Sequence, residues 1–600
     1  MKTNTLLRFV CIFLTYIAIF LIYMSNGVPI WSGDTYDSSI FSANIIQNGT
    51  IFFDAATHGS YYPVDYYFFA PTTSGHIGST YPLLPQLFFF PFNFLYYFLD
   101  GSCKAPVFSE MFENCRLHSD KFSSAALASL TVLIYFFTVS GILKRTAWAV
   151  LASVFFAFGT NHFVTASQSN WQHDPIELLC IILIYITTTQ PIKADTNRFF
   201  LFRIYALFLI IGLLIWIRLS NVIWILPILT WSWTERRGFM TKSAYITATA
   251  GLVAGLSGFF WNYSLFGSFL GGYARLRELG MVSFTLSLEQ FETSFSGLMW
   301  SASRGLLIIT PVAALGIIGW PLLERVPAKL RNVWVKKTRQ NKNFEQFSES
   351  ERMENALGRR STSHVILVLW GWYISVAALI VLYSFYQMWW AGWAHGARFM
   401  TDAMPVFILL AAIVSERTHY RIVKIAFVLL GLIGVCNQFA MVYGASGPAG
   451  HQFDVFNISG DDVINVRGNE LIYRNWHDSD LTRSYISIYS KIFRAPQFWA
   501  TPAATQNSAA CIVSISGSNQ TFDVRNAGSV DWIGYEGGSP NPPRIEFESG
   551  HGRRVFLLRD RIIRPGHVGR FIDLKQGPAE TSLPSHVLWG ESVLPSLCQG

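Results

Sequence analysis

Apolar runs recur along this chain too often, and at too great a length, for a soluble fold. A spanning helix needs roughly 20 mostly apolar residues. Eleven stretches approach that length, at about 6–24, 122–143, 147–165, 175–190, 201–217, 219–233, 243–262, 305–323, 363–384, 402–415 and 425–443. With 51% hydrophobic and 14% charged residues, the chain is too apolar for an ordinary globular protein. Aromatic residues make up 16%, which suits a protein with much surface at the membrane–water boundary, where Trp and Tyr rings settle. The expected fold is a mainly α, polytopic helical bundle of about eleven spans.

Basic residues orient that bundle, because Lys and Arg are retained on the cytoplasmic side. With Lys2 and Arg8 inside, the same side collects Lys144 and Arg145, then Lys193, Arg198 and Arg203. Arg236, Arg237 and Lys242 follow, then a basic loop from Arg325 to Arg360, then Arg417, Arg421 and Lys424. The net charge of +8 therefore reflects topology, with no nucleic-acid signal in it. Eleven spans place the C-terminus outside. Residues 1–30 lack a convincing small-x-small cleavage site, so they read as an uncleaved first helix.

The first external segment, about 25–121, is long and aromatic. Its stretch Tyr81–Leu99 is apolar enough to enter the bilayer, but Pro82, Pro85 and Pro91 break it. A full crossing there would invert every later loop, so it reads as a re-entrant or interfacial element. Irregular backbone at that depth must be buried in protein or line a cavity. From about 444 the apolar runs stop. Short alternating segments such as Cys511–Ser516, Thr521–Arg525, Arg544–Phe547 and Arg554–Leu558 then suggest a small β-sandwich. The chain divides into a membrane domain, 1–443, and a β-rich extracytoplasmic domain, 444–600.

Of seven cysteines, Cys11, Cys180 and Cys436 fall inside expected spans. The other four, Cys103, Cys115, Cys511 and Cys598, fall on the external side, where disulfides persist. Cys103 is expected to pair with Cys115 and Cys511 with Cys598, against the alternative of four free thiols.

Three groups of residues could carry chemistry. Trp31-Ser32-Gly33-Asp34-Thr35-Tyr36-Asp37 follows the first span. A carboxylate at that exit is placed to act as a general base on a hydroxyl near a lipid head group; alternatively Ser32 or Asp34 simply caps the helix Tyr36–Gln47. Asp37 is read as helical and supporting. Ser169-Asn170-Trp171-Gln172-His173-Asp174-Pro175 lies between the third and fourth spans. There Asp174 and Pro175 fit a helix start, and His173 could donate to a phosphate or orient Asp174. The third group is arginines at the membrane edge: Arg218, Arg275, Arg277, Arg304 and Arg398. Ionisable groups at membrane depth are costly and default to functional hypotheses, and the guanidinium fork matches phosphate oxygens. Head-group contact is the plainer explanation, above all for Arg275 and Arg277. Asp461, Asp462 and Asp478-Ser479-Asp480 read as solvated turns. No nucleotide-binding glycine loop, HExxH or CxxC occurs. No cofactor is required by the pattern, although a divalent ion on Asp34 and another carboxylate is compatible with it.

Taken in order, these motifs resemble the GT-C superfamily of integral-membrane glycosyltransferases, in the style of bacterial relatives of protein O-mannosyltransferases and the aminoarabinose transferase. The resemblance covers about 1–443 and rests on Gly33-Asp34, Tyr81-Pro82, Trp171-Gln172-His173-Asp174, Asn262-Tyr263 with Phe266-Gly267-Ser268, Ser303-Arg304-Gly305-Leu306 with Pro311, and Gly396-Ala397-Arg398 with Pro405. It implies a hexosyl- or pentosyltransferase using a polyprenyl-phosphate-linked sugar outside the cytoplasm, with inversion at the anomeric carbon. The membrane would be the bacterial inner membrane, and the acceptor a protein, lipid or glycan hydroxyl. By position Asp34 would be the catalytic base, with Asp174 and His173 beside it. Arg304, Arg398 and Arg218 would bind phosphate, and Tyr81, Trp171 and Gln172 would support the site. The first loop departs from the acidic-pair form, since Asp34 is followed by Thr35. A transporter or flippase of lipid-linked sugars, or an inactive glycan-sensing relative, are the competing readings. Against a transporter stand the missing two-fold repeat of hydropathy and the clustering of candidates on one face.

Overall fold

A computed structural model of the chain describes residues 2–27, 29–55, 67–188, 197–235, 241–279, 283–323, 349–392 and 394–444, a few residues between 481 and 488, and seven strands between 510 and 594. It resolves into two compact units. The first comprises Met1–Trp300, Gly305–Gly392 and Ala397–Gln438; the second comprises Ser301–Arg304, Trp393–Gly396 and Phe439–Gly600.

Among the described residues, six helices are long and apolar enough to cross a membrane: Glu113–Ile142, Arg198–Ile217, Lys242–Phe266, His364–Tyr383, Arg398–Arg417 and Arg421–Gly444. Val10–Met24, Leu83–Leu99 and Thr146–Gly159 are shorter apolar helices. This is an integral membrane protein. Helix α1 covers Lys2–Met24 and α2 covers Gly33–Asn48; Ser32 caps α2 by accepting from the Asp34 N–H at 3.2 Å, and Gly49 ends it at φ 65°. With Ser32 as the cap, the Asp34 carboxylate remains available for other contacts.

Helix α3, Leu83–Leu99, corrects the expectation that three prolines break this stretch. Pro82 is the N-cap and Pro85 sits in the first turn, where backbone N–H groups have no intrahelical partner to lose. Only Pro91 removes an interior hydrogen bond, and the helix runs through it. The run 305–323 is less regular than expected. It contains the short helix Leu306–Ile309 and a π-helical turn at Leu315–Gly319, with Pro311 between them. The run 219–233 begins as a 3-10 helix at Leu219–Trp224 before continuing as Ile225–Thr234.

Helix α4 (Glu113–Ile142) carries the buried Asp120 and Thr131, α5 covers Thr146–Gly159, and α6 (His173–Thr188) carries the buried His173, Asp174 and Glu177. A π-turn at His162–Ala166 joins α5 to the loop before α6. Helix α7, Asn197–Ile217, meets the helix Lys242–Phe266 along Gly251, Gly255 and Gly258. A Cβ at any of these would collide with α7, so the small residues set how closely the two backbones approach.

The first loop has a core of its own. Tyr36, Ile40, Phe41, Phe53, Phe68, Phe69, Phe108 and Phe112 are buried together with Cys103 and Cys115. The two cysteines form the expected disulfide, with Cα atoms 5.0 Å apart. Strands β1 (Phe69–Pro71) and β2 (Ile77–Ser79) pair antiparallel within this loop.

In the second unit seven strands lie in one sheet: β3 (Ala510–Ser516), β4 (Thr521–Asn526), β5 (Arg544–Ser549), β6 (Gly552–Leu558), β7 (Val568–Asp573), β8 (Val587–Trp589) and β9 (Ser592–Leu594). Their order is β3-β4-β7-β6-β5-β8-β9. A sandwich needs a second sheet packed on the first, and no second sheet occurs among the described residues of this segment. The expected Cys511–Cys598 bridge lies outside the described side chains, as do Asp461, Asp462, Asp478 and Asp480.

Candidate functional site

Asp34 sits in the first turn of α2, at the exit of α1. Its Oδ2 is 2.5 Å from Nη2 of Arg398. Its Oδ1 accepts hydrogen bonds from the hydroxyls of Tyr67 at 2.9 Å and Tyr81 at 2.7 Å. These two tyrosines come from either side of the β1–β2 pair, so the loop's local fold delivers both to one carboxylate. Burial pushes the Asp34 carboxyl up, but the Arg398 charge and the hydrogen bonds outweigh it and hold the group below its ordinary value. Burial drives Tyr81 well above the usual phenol range, and the neighbouring Asp34 charge adds to this. Asp34 is therefore an ionised acceptor and Tyr81 a donor. The Asp34 side chain keeps 22% of its surface exposed, so an incoming hydroxyl can reach it.

Arg398 belongs to the 3-10 helix Arg398–Ala403. Its guanidinium lies 4.1 Å from the Trp171 ring centre, a cation–π contact. Nη1 donates to the Ala391 carbonyl at 3.0 Å and Nε to Nε2 of His173 at 3.3 Å. A guanidinium only donates, so His173 accepts at Nε2 and carries its proton on Nδ1. That proton goes to Asp402, whose Oδ1 is 2.6 Å away. The other Asp402 oxygen lies 3.5 Å from Nη1 of Arg218, which also reaches the Tyr383 hydroxyl at 3.4 Å. The result is one chain of contacts, Asp34–Arg398–His173–Asp402–Arg218. In it two carboxylates balance two guanidiniums across a neutral imidazole.

Further groups hold this chain in place. Asp120 of α4 accepts from the Ser169 hydroxyl at 2.5 Å and the Asn170 N–H at 2.6 Å, which fixes the loop that presents Trp171 and His173. Gln172 accepts from the Tyr273 hydroxyl at 2.8 Å, and Tyr273 in turn packs edge-on against Tyr81. Asp37 is fully buried and accepts from the Ser38 N–H at 2.8 Å and from the Ser79 hydroxyl. Its burial, opposed by those hydrogen bonds, pushes its carboxyl up to about 7. Tyr81 and Ser79 also line an open cleft with Gln86, Trp261, Asn262 and Phe266.

The structure thus brings together Asp34, Tyr81, Trp171, His173, Arg218 and Arg398, with Gln172 and Asp37 joined to them through Tyr273 and Ser79. It places Asp174 in a different set of contacts: its Oδ1 accepts from Thr131 Oγ1 at 2.9 Å, beside His162 and Glu177. Arg304 belongs to the second unit, where its backbone N–H donates to Ser301 Oγ at 3.1 Å and its Nη1 to the Ser303 carbonyl at 3.3 Å. Arg275 and Arg277 occupy the short helix Tyr273–Glu278. Sequence reasoning misses Asp402, Tyr67, Tyr273, Tyr383 and Asp120. For Asp402 a signal exists: it stands four residues after Arg398 at the head of an apolar run.

No protein-family model matches the chain, and no curated protein matches it. Among solved structures it is similar to ArnT from Cupriavidus metallidurans bound to undecaprenyl phosphate. That pair shares 10% identity at a TM-score of 0.41, over 82% of this chain and 75% of that one. It is also similar to the Archaeoglobus fulgidus oligosaccharyltransferase in the apo form. Here identity is 12% and the TM-score 0.38, over 78% of this chain and 60% of that one. Both likenesses are too distant for a residue-by-residue correspondence.

Proposed function

We propose that this chain is a membrane glycosyltransferase of the GT-C class, moving a sugar from a polyprenyl-phosphate carrier to a hydroxyl acceptor. The observation that carries this reading is the Asp34–Arg398 pair. A reachable carboxylate at a helix exit is held ionised by a guanidinium that itself suits a lipid phosphate.

In this reading Arg398 serves two partners in turn. With no donor bound it neutralises Asp34. A donor phosphate draws part of the guanidinium's hydrogen bonding to its own oxygens, and Asp34 regains basicity when the substrate is in place. The acceptor oxygen then attacks the anomeric carbon on the face opposite the phosphate. The C–O bond to phosphate breaks, the electron pair stays on the phosphate, and the acceptor's proton passes to Asp34, giving inversion. His173 is a positioning residue, holding Arg398 through Nε2 while Asp402 fixes its tautomer. The sugar is a hexose or pentose, and the acceptor a protein, lipid or glycan.

The same reading assigns the catalytic machinery to 1–443 with about eleven spans, and a cytoplasmic N-terminus from the basic loops. It places 444–600 outside as a separate domain contacting acceptor or glycan, in a bacterial inner membrane. The test is transfer from radiolabelled polyprenyl-phosphate sugars in membranes, comparing wild type with Arg398→Ala at matched expression. Unchanged turnover in that variant would remove Arg398 from the mechanism.

A further inference from the structure

His162, Asp174 and Glu177 form a second ionisable cluster, all three fully buried. His162 opens the π-helical turn after α5, while Asp174 and Glu177 lie at the start of α6. One ligand atom from each lies within 4.8 Å of the others. π-Turns inside helical proteins are frequent at functional sites.

Nε2 of His162 faces the Ala128 carbonyl at 3.2 Å. A carbonyl only accepts, so Nε2 carries the proton and the neutral ring's lone pair is on Nδ1. That lone pair faces Oε2 of Glu177 at 2.6 Å. Two acceptors at such a distance require a positive species between or beside them. A single proton would serve this one contact and nothing more. It would leave Oε1 of Glu177 and Oδ2 of Asp174, both buried and without a hydrogen-bond partner, still unsatisfied. Unpaired buried carboxylate oxygens are costly. A cation answers all three groups together.

We infer that His162, Asp174 and Glu177 hold one divalent transition-metal ion. Imidazole nitrogen with two carboxylates suits Zn²⁺ or Mn²⁺ better than the all-oxygen sets that Ca²⁺ and Mg²⁺ prefer. The Ala128 carbonyl on the far ring nitrogen, and Thr131 Oγ1 on Oδ1 of Asp174 at 2.9 Å, supply the outer hydrogen bonds that orient metal ligands. The ion would tie α4, the π-turn and α6 together. It would also steady the end of α6 that presents His173, which stands one helical turn before Glu177.

The test uses the full chain purified in detergent without a histidine tag, with metal content read by plasma mass spectrometry. Wild type is expected to hold about one zinc or manganese per chain, and the doubly amidated variant Asp174→Asn/Glu177→Gln far less than that. If the variant does not accumulate, the wild type is stripped by chelator. Its unfolding midpoint should then fall by several degrees and recover with Zn²⁺ or Mn²⁺ alone. A wild-type protein that is metal-free and indifferent to both added ions leaves the His162–Glu177 contact to a proton and overturns the inference. Metal retained equally by the double variant overturns it too.

Discussion

Arg398 and Asp34, from opposite ends of the membrane-embedded sequence, meet with Nη2 and Oδ2 2.5 Å apart. The pairing gives one guanidinium two competing tasks, neutralising the base and receiving a phosphate. Arg398→Lys keeps the charge but loses the planar fork and its stacking on Trp171. Its kcat/KM is expected to fall by about 10- to 100-fold, and that of Arg398→Ala further, toward the ~10²- to 10³-fold loss typical of removing an electrostatic stabiliser. Steady-state transfer at saturating and limiting donor checks both.

Trp171 contributes its ring face. A cation–π contact is worth about 0.5–2 kcal/mol, so Trp171→Ala should reduce donor use by roughly 2- to 30-fold. Trp171→Phe should recover most of it, because the aromatic face remains. Equal loss in the two variants, measured as KM for donor, would mean that Trp171 acts by shape alone.

Asp37 makes stability depend on pH. Its carboxyl rises from 3.8 to about 7 in the folded protein. The folded state therefore keeps a proton that the unfolded chain releases, and stability falls as pH climbs from about 4 to 7, then levels. Asp34 has the opposite sign: its depressed folded value adds stability above the ordinary carboxylate range, lost as pH falls through the lower folded value. Asp37→Asn can still accept from Ser38 and donate to Ser79. Thermal unfolding should show it equal to wild type near pH ~4 and more stable near pH ~8.

The Cys103–Cys115 bridge closes a loop with a sequence separation of 12. Loop-closure entropy puts its contribution near ~3 kcal/mol. The double serine variant should unfold at lower temperature, and wild type should show fewer reactive thiols before reduction than after. Identical midpoints with and without reductant would contradict this.

Much of the site can be read in the sequence because charge is expensive in an apolar chain. Asp34, Arg398, Arg218 and His173 each stand at the edge of an apolar run, and each belongs to the observed network. Asp402 carries the same signal, but nothing in the sequence names its partner. It opens a run of apolar residues, and its partner His173 lies 229 positions away. Tyr67 and Tyr273 are invisible among 25 tyrosines, since only the fold brings a second hydroxyl to Asp34 beside that of Tyr81, and one to Gln172. Asp174 shows the limit of motif reading. It stands next to His173 in the sequence, yet helical geometry turns the two side chains to different partners, Asp402 for His173 and Thr131 for Asp174. The prolines of α3 mislead because position within a helix decides their cost, and two of the three sit at its start.

Asp34 as the base of a lipid-linked sugar transferase is tested most directly by transfer from a panel of radiolabelled polyprenyl-phosphate sugars in membranes, comparing wild type with Asp34→Asn at matched expression. Wild type should turn over at least one donor, and the variant should lose about 10²- to 10⁴-fold, the range for removing a general base. Wild-type turnover that survives Asp34→Asn unchanged would contradict that role.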